Sequence, residues 1–470
     1  MTRRHWLILS LLMAAEVVSA FETSMVLAGL GAWLRIHGDP IGIGWIVSSY
    51  LLVCAAAAAL CGRLGDIYGR KKMLLLVIGV ACIGSLVSAV GTSLPWIVAG
   101  RAIQGAAGAI IPLCYGLARE HLPRQHVPFA VGLIVATAAT GSAVGLLCGG
   151  MLTDAYGPQS IFIASSGLAA AIFIVLAIGL PGSVAPPRIG RVDWLGGILF
   201  APAVAALLLL FSNGSQWGWA SAWSIGSGVI GIVLLALWVW HESRQAEPLI
   251  DVRLLADRRC AVANLVMLCA SVGVMQMTQL TSLLLQQPRW TLVGLGTSAT
   301  FVGLLKFPAV VSGAISSVWA GWASGKYGGS FPMLIGCAGM AVASALGALS
   351  HSQIAVIFLV VCVANMGVTA TYAAVPNVLI DAAPANRTSE ATGLMAVVRA
   401  MAQAIGAQVL AILLASSTVI SAEGKAFPDD TAYTAVFWFM AGASAIGFAF
   451  TLLLPRSSRV VRAAAADQVS

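Results

Sequence analysis

The chain has 470 residues, 59% of them hydrophobic and only 9% charged, against about 25% charged in soluble domains. Such a composition excludes a water-facing surface of this length and suits a lipid-facing one. The net charge of +8 does not point to nucleic acid, because the basic residues lie in short stretches between apolar runs and not on one face. Fifty glycines fit membrane helices packed backbone to backbone. Nine cysteines, most inside apolar runs and without CxxC or zinc spacing, read as small core residues, so no disulfide and no metal site is expected.

Arg3 and Arg4 precede the first apolar run, and Val18-Ser19-Ala20 resembles a signal-peptide cleavage site. Glu16 interrupts that run and apolar sequence continues past Ala20, so it is read as a retained first membrane helix. A spanning helix takes about 20 mostly apolar residues. Fourteen segments qualify, near 7–32, 43–61, 73–92, 95–117, 127–150, 160–181, 194–212, 223–241, 260–285, 296–320, 331–350, 353–379, 391–417 and 433–455. The expected fold is an all-α polytopic membrane protein. The stretch 242–259 mixes charge with Leu249, Ile250, Leu254 and Leu255 and is expected along the membrane surface.

An even number of spans puts both termini on one side. Of the 25 lysines and arginines, only Arg35, Arg289 and Lys425 fall on the opposite side, and Arg101, Lys306 and Arg399 fall within spans. The positive-inside rule then makes both termini cytoplasmic. An internal repeat accompanies the pattern. Gly62–Leu75 (GRLGDIYGRKKMLL) and Gly321–Leu334 (GWASGKYGGSFPML) share glycine, tyrosine and glycine at 62/321, 68/327 and 69/328. Two homologous helical halves recur in transporters.

The motifs follow in chain order. In the first span lies Phe21-Glu22-Thr23. After the second comes GRLGDIYGRKK, from Gly62 to Lys72, where Gly62 and Gly69 permit a close approach and a tight turn. There Asp66 suits a neighbouring helix end or an arginine, and Arg70 and Lys71 suit acids or lipid phosphates. The fourth span carries Arg101-Ala-Ile-Gln104-Gly105, and the fifth carries Gly141, Gly145, Gly149 and Gly150 as packing glycines. Late in the chain runs Pro384-Ala-Asn-Arg-Thr-Ser-Glu-Ala-Thr-Gly393, followed by Arg399 and Gln403. Together these resemble the major facilitator superfamily, and within it the fourteen-helix drug:proton antiporters. The fifth-span glycines resemble the antiporter motif, although Leu146 stands in place of its proline and Pro158 and Gln159 in place of its tryptophan and arginine.

The resemblance implies two six-helix bundles, about 1–181 and 260–455, with two inserted helices and the amphipathic stretch at 182–259 and a cytoplasmic tail at 456–470. It implies alternating access about a central cavity, with the Gly62–Lys71 loop in the gating.

Depth arithmetic gives a second view. At 1.5 Å per residue, Glu16 lies about 15 Å and Glu22 about 24 Å from an inner end at Trp6, and Arg101 about 21 Å. Glu22 and Arg101 are thus expected to meet. Lys306 and Arg399 fall near mid-depth, where transporters hold substrate. Proton coupling is expected at Glu22, with Glu16 as the second carboxylate and Arg101 as modulator. The substrate cavity is expected to use Lys306, Arg399, Gln276, Gln279, Tyr372, Asn377 and Gln104. Lys306 needs a partner, either Glu16 or Glu22 or a substrate carboxylate with Arg399 as second anchor.

No phosphate-binding GxxxxGK[ST] loop is present. The expectation is a non-enzyme without cofactor, driven by a proton gradient in the cell membrane. It would act as a monomer on a small organic compound, by efflux in the manner of multidrug exporters. Proton-coupled uptake of an organic anion such as an aromatic acid is the alternative. A helical receptor or sensor is the remote one, disfavoured by charges buried on several helices and by the lack of an appended signalling domain.

Overall fold

A computed structural model describes residues 1–37, 40–91, 93–182, 193–245, 257–297, 299–384, 387–420 and 426–454. Most of the stretch expected along the membrane surface and the tail at 456–470 lie outside the described residues.

Within lipid every backbone group needs an internal partner, and the long apolar runs answer this by becoming helices. The first seven are α1 (Arg3–His37), α2 (Pro40–Tyr68), α3 (Arg70–Val90), α4 (Leu94–Gln104), α5 (Ile110–His121), α6 (Val127–Tyr156) and α7 (Ser160–Gly179). Next come α8 (Trp194–Trp217), α9 (Ala222–Arg244), α10 (Arg258–Val272), α11 (Met277–Gln286) and α12 (Ala299–Tyr327). The last are α13 (Ser330–Leu349), α14 (Ile354–Ala382), α15 (Thr388–Ala415) and α16 (Asp430–Leu452). Two pairs are single spans with a break. A 3₁₀ turn at Gly105–Ala109 joins α4 to α5, and another at Val274–Gln276 joins α10 to α11. Among the described residues, thirteen spans are long and apolar enough to cross a membrane, and the apolar stretch Leu195–Phe211 of α8 adds a shorter fourteenth. The fold is therefore that of a polytopic helical membrane protein. Among the described residues, the one departure from all-α is a two-stranded antiparallel pair, β1 (Thr418–Ile420) with β2 (Ala426–Pro428). Below it Asp429 caps α16 by accepting from the Ala432 amide at 2.9 Å, and a hydrogen bond from the Ser417 hydroxyl holds its carboxyl below the usual range.

The contacts form two compact units. One holds Met1–Asp257 with Leu379–Ala400, the other Arg258–Val378 with Met401–Ser470.

In the first unit, Met25, Val26, Trp33, Ile43, Ile46, Ile97, Ile161 and Phe162 make a core shared by α1, α2, α4 and α7. The break at Gly105 lies where α2 packs against it. A side chain there would reach the Tyr50 carbonyl at 2.7 Å, and one at Gly108 would strike the Cys54 carbonyl, so α2 lies directly on this backbone. The inserted pair is tied by Asp193, which caps α8 through the Gly196 amide at 2.9 Å and pairs with His241 at 2.7 Å.

The repeat has a backbone counterpart. Gly69 sits between α2 and α3 at φ 101°, and Gly328 between α12 and α13 at φ 86°, both in the region that glycine alone enters without strain.

The fifth-span glycines set α6 against α1. A methyl group on Gly149 would come within 2.5 Å of the Met25 carbonyl, and one on Gly145 would strike Ser24. Gly141 meets Ala20 at 3.0 Å, while Gly150 has nothing nearer than Ala28 at 4.0 Å. Gly149→Ala is expected to destabilise the protein by about 1–3 kcal/mol through backbone overpacking. Gly150→Ala should be near neutral. Melting of the two purified variants in detergent checks this, and equal midpoints would contradict it.

Candidate functional site

Four helices of the first unit converge on Glu22. Glu22, Arg101 and Gln104 are each 1% exposed, and Ser85 is fully buried. One carboxylate oxygen of Glu22 accepts from Ser85 at 3.2 Å and from Ser165 at 3.5 Å. The other has no hydrogen-bond partner among the described residues. Gln104 donates to the Ser85 hydroxyl at 2.5 Å and accepts from Arg101 at 2.8 Å, so a chain of bonds runs from the guanidinium to the carboxylate. Ser85 has one proton to give. It reaches either Glu22 or the Ala81 carbonyl, 3.0 Å away. With the carboxylate charged, the hydroxyl serves Glu22. With the acid neutral, the hydroxyl is free to turn to Ala81.

Arg101 does approach Glu22, but through the main chain. Its guanidinium donates to the Glu22 carbonyl at 2.9 Å and the Ile46 carbonyl at 3.1 Å, and stacks 4.1 Å over the Tyr50 ring. The Tyr50 hydroxyl bonds Thr23 at 2.9 Å. Gln104, grouped by sequence with the substrate cavity, is packed into this cluster with both ends of its amide engaged. Glu16, one turn and a half earlier on α1, is also 1% exposed, with one oxygen lacking a hydrogen-bond partner among the described residues. Arg399 of α15 acts on it electrostatically.

At the end of α2 lies a second cluster. Asp66 accepts from Arg70 at 2.7 Å and from the Glu390 amide at 3.0 Å. That amide belongs to the buried first turn of α15, whose N–H groups lack intrahelical partners and favour a negative group. Arg70 also pairs with Glu120 at 3.3 Å and donates to Ser389 and to the Gly116 carbonyl at 3.1 Å each. Arg63 pairs with Glu390 at 3.3 Å, and Arg119 donates to Thr388 at 2.7 Å and to the Ala383 carbonyl at 2.9 Å. Gly62 permits this approach, since a side chain there would stand 2.6 Å from the Ser389 carbonyl. Lys71 finds a helix end where sequence suggested acids or lipid phosphates. It donates to the carbonyls of Ala177 and Leu180, the negative end of α7.

The remaining candidates lie in the second unit. Tyr372 bonds Ser271 at 3.0 Å, and Gln276 donates to the Gln403 carbonyl at 3.1 Å. Asn377 is 3% exposed and donates to the Ala373 carbonyl at 2.8 Å, so it braces its own helix. Gln279 is exposed and lines an open cavity of about 430 Å³ with Gln276, Gln403 and neighbours. Lys306 donates to the Thr278 carbonyl at 2.6 Å and to the Ser282 hydroxyl. Sequence offered Glu16, Glu22 or a substrate as its partner; these two neutral oxygens were not foreseen.

With this geometry, a model of the Major Facilitator Superfamily matches residues 12–193 and 192–407. The chain belongs to the Major Facilitator Superfamily. It is 29% identical to the multidrug resistance protein Stp of Mycobacterium tuberculosis over 83% of this chain and 72% of that one. It is 28% identical to the drug efflux pump JefA of the same organism, over 67% of this chain and 61% of that one. Among solved structures, the human organic anion transporter MFSD10 aligns with a TM-score of 0.68 at 15% identity, covering 96% of this chain and all of that one, a likeness of fold. In this superfamily member, sequence reasoning missed Ser85, Ser165, Arg63, Glu120, Ser389 and Glu390. Serines in apolar helices carry no distinguishing pattern. The acids at 120 and 390 look like ordinary helix-end charges until the fold brings them to Arg70 and Arg63.

Proposed function

We propose that the chain is a proton-coupled exporter of small organic compounds, working by alternating access in the cell membrane with both termini cytoplasmic, as a monomer and without cofactor. Its resemblance to proteins named for multidrug resistance and drug efflux supports export. The observation that carries proton coupling is Glu22. It is an ionisable group buried mid-span, held by hydroxyls, with one oxygen lacking a hydrogen-bond partner among the described residues. Charged groups at such depth are costly and serve as proton relays. Gain or loss of a proton there redirects Ser85, and through Gln104 it reaches Arg101, which joins α1, α2 and α4. Cells expressing the protein should accumulate less ethidium than controls, and a protonophore should abolish the difference. Equal accumulation, or a difference indifferent to the protonophore, would overturn the reading.

The Asp66 cluster supports a role in conformational switching. It joins α2, α3 and α5 to the start of α15 by several charged hydrogen bonds that would have to part together. Asp66→Asn keeps size but removes the charge that favours the α15 amides. Turnover is expected to fall about tenfold, about 1.4 kcal/mol on the barrier, with substrate affinity within about twofold. Initial rates and equilibrium binding on the same preparation decide it. A large affinity loss at normal turnover would contradict this.

A further inference from the structure

The cavity of the second unit has the charged Lys306 beside its lining residues. Met275, Gln276, Thr278, Gln279, Ser282 and Gln403 are among its lining residues, none of which carries a carboxylate. Residues 278, 279 and 282 recur at helical spacing, so one face of α11, continued by Met275 of the 3₁₀ turn before it, forms the wall. The span is broken just before it, at Gly273 (φ −88°, ψ −100°) and the 3₁₀ turn Val274–Gln276. The positive end of α11 therefore opens beside the cavity. Lys306 comes from α12 and bonds the Thr278 carbonyl and the Ser282 hydroxyl, both on the lining residues. Its charge is thus held at the wall by neutral acceptors. A carboxylate in the cavity would take over the ammonium in a charge-assisted bond, roughly twice as strong as a neutral one. Met275 and Leu283 offer an apolar surface for the rest of such a molecule.

We propose that this cavity binds an organic acid with an apolar body, with Lys306 as the counter-ion of its carboxylate and the Ser282 hydroxyl, turned away from the Thr278 carbonyl to which it donates at 2.8 Å, as a second donor. The inference rests on the transporter reading and adds a substrate class to it. Lys306 acts by direct contact, released from Thr278 as the carboxylate enters.

The test uses salicylate and its uncharged amide, salicylamide, with purified full-length protein in detergent. Wild type should bind salicylate at least tenfold more tightly than salicylamide. Lys306→Met should bring the two affinities within about twofold, while Lys306→Arg keeps a preference for the acid. Gln279→Glu, at an exposed position, should weaken salicylate selectively by adding a like charge to the wall. It keeps the proposal testable if Lys306→Met does not fold. No preference in the wild type, or a preference unchanged in a folded Lys306→Met or Gln279→Glu protein, would overturn the assignment. Ethidium movement by the wild type, measured separately, reports on transport itself. If ethidium is exported and salicylate is not preferred, the substrate class fails and the transporter reading stands. If nothing moves under a proton gradient, the transporter reading fails.

Discussion

Replacing Glu22 by glutamine is expected to abolish proton-driven efflux while leaving substrate exchange down its gradient largely intact. Glutamine fills the same space, and its carbonyl can still accept from Ser85 and Ser165, which hold the native carboxylate at 3.2 and 3.5 Å. What it cannot do is gain and lose a proton. The loaded carrier should still reorient, and counterflow between substrate pools should continue. Coupled transport should fall by about 100-fold or more, within the range a positioned proton-transfer group supplies. Glu16→Gln serves as the comparison. Glu16 is equally buried, but it is not wired to the Arg101–Gln104–Ser85 chain, so its loss should cost less. Normal gradient-driven efflux by Glu22→Gln would remove Glu22 from the mechanism.

Arg101→Ala should unfold or badly destabilise the first unit. The native guanidinium satisfies the Glu22 carbonyl, the Ile46 carbonyl and the Gln104 amide oxygen in a buried site. The two carbonyls keep their helix donors, but the Gln104 oxygen is left buried without its donor, at a cost of about 1–3 kcal/mol. The lost stacking on Tyr50 and the space left behind add to this. A combined loss of about 3 kcal/mol or more follows, seen as a large drop in melting temperature in detergent and in yield from membranes. Arg101→Lys keeps the charge but not the planar fork of donors, so it cannot reproduce three bonds in three directions. It should fall between wild type and alanine. A wild-type melting temperature for Arg101→Ala would show that these bonds contribute little.

The spans were legible because lipid leaves a chain little choice, and a run such as 73–92, apolar but for Ser85, Ser88 and Thr92, reads as a helix through the bilayer. The tight turn at Gly69 and the role of Asp66 at a helix end were legible too, since both follow from local chemistry. The breaks at 105–109 and 273–276 were not. Each lies where a neighbour is pressed against a glycine, α2 at Gly105 and the Ala443 side chain at Gly273, and such neighbours are remote in sequence. Depth arithmetic placed Glu22 and Arg101 at one height, and they do meet. Height says nothing of direction around a helix, so it could not tell carbonyl from carboxylate. For the same reason it could not show that Gln104 is buried between Arg101 and Ser85. Arg63 and Glu390 are far apart in the chain, and only the fold shows that their charges are used on each other.

The most direct test of the central claim is a two-way flux measurement on purified protein in sealed liposomes, with a pH-sensitive dye inside and ethidium as the transported probe. An imposed proton gradient should drive ethidium uphill, and an ethidium gradient imposed at equal pH should move protons the opposite way. Both movements should disappear in Glu22→Gln, while ethidium exchange persists. Ethidium movement of equal size with and without a proton gradient, and no pH change when ethidium is driven across, would contradict proton-coupled export.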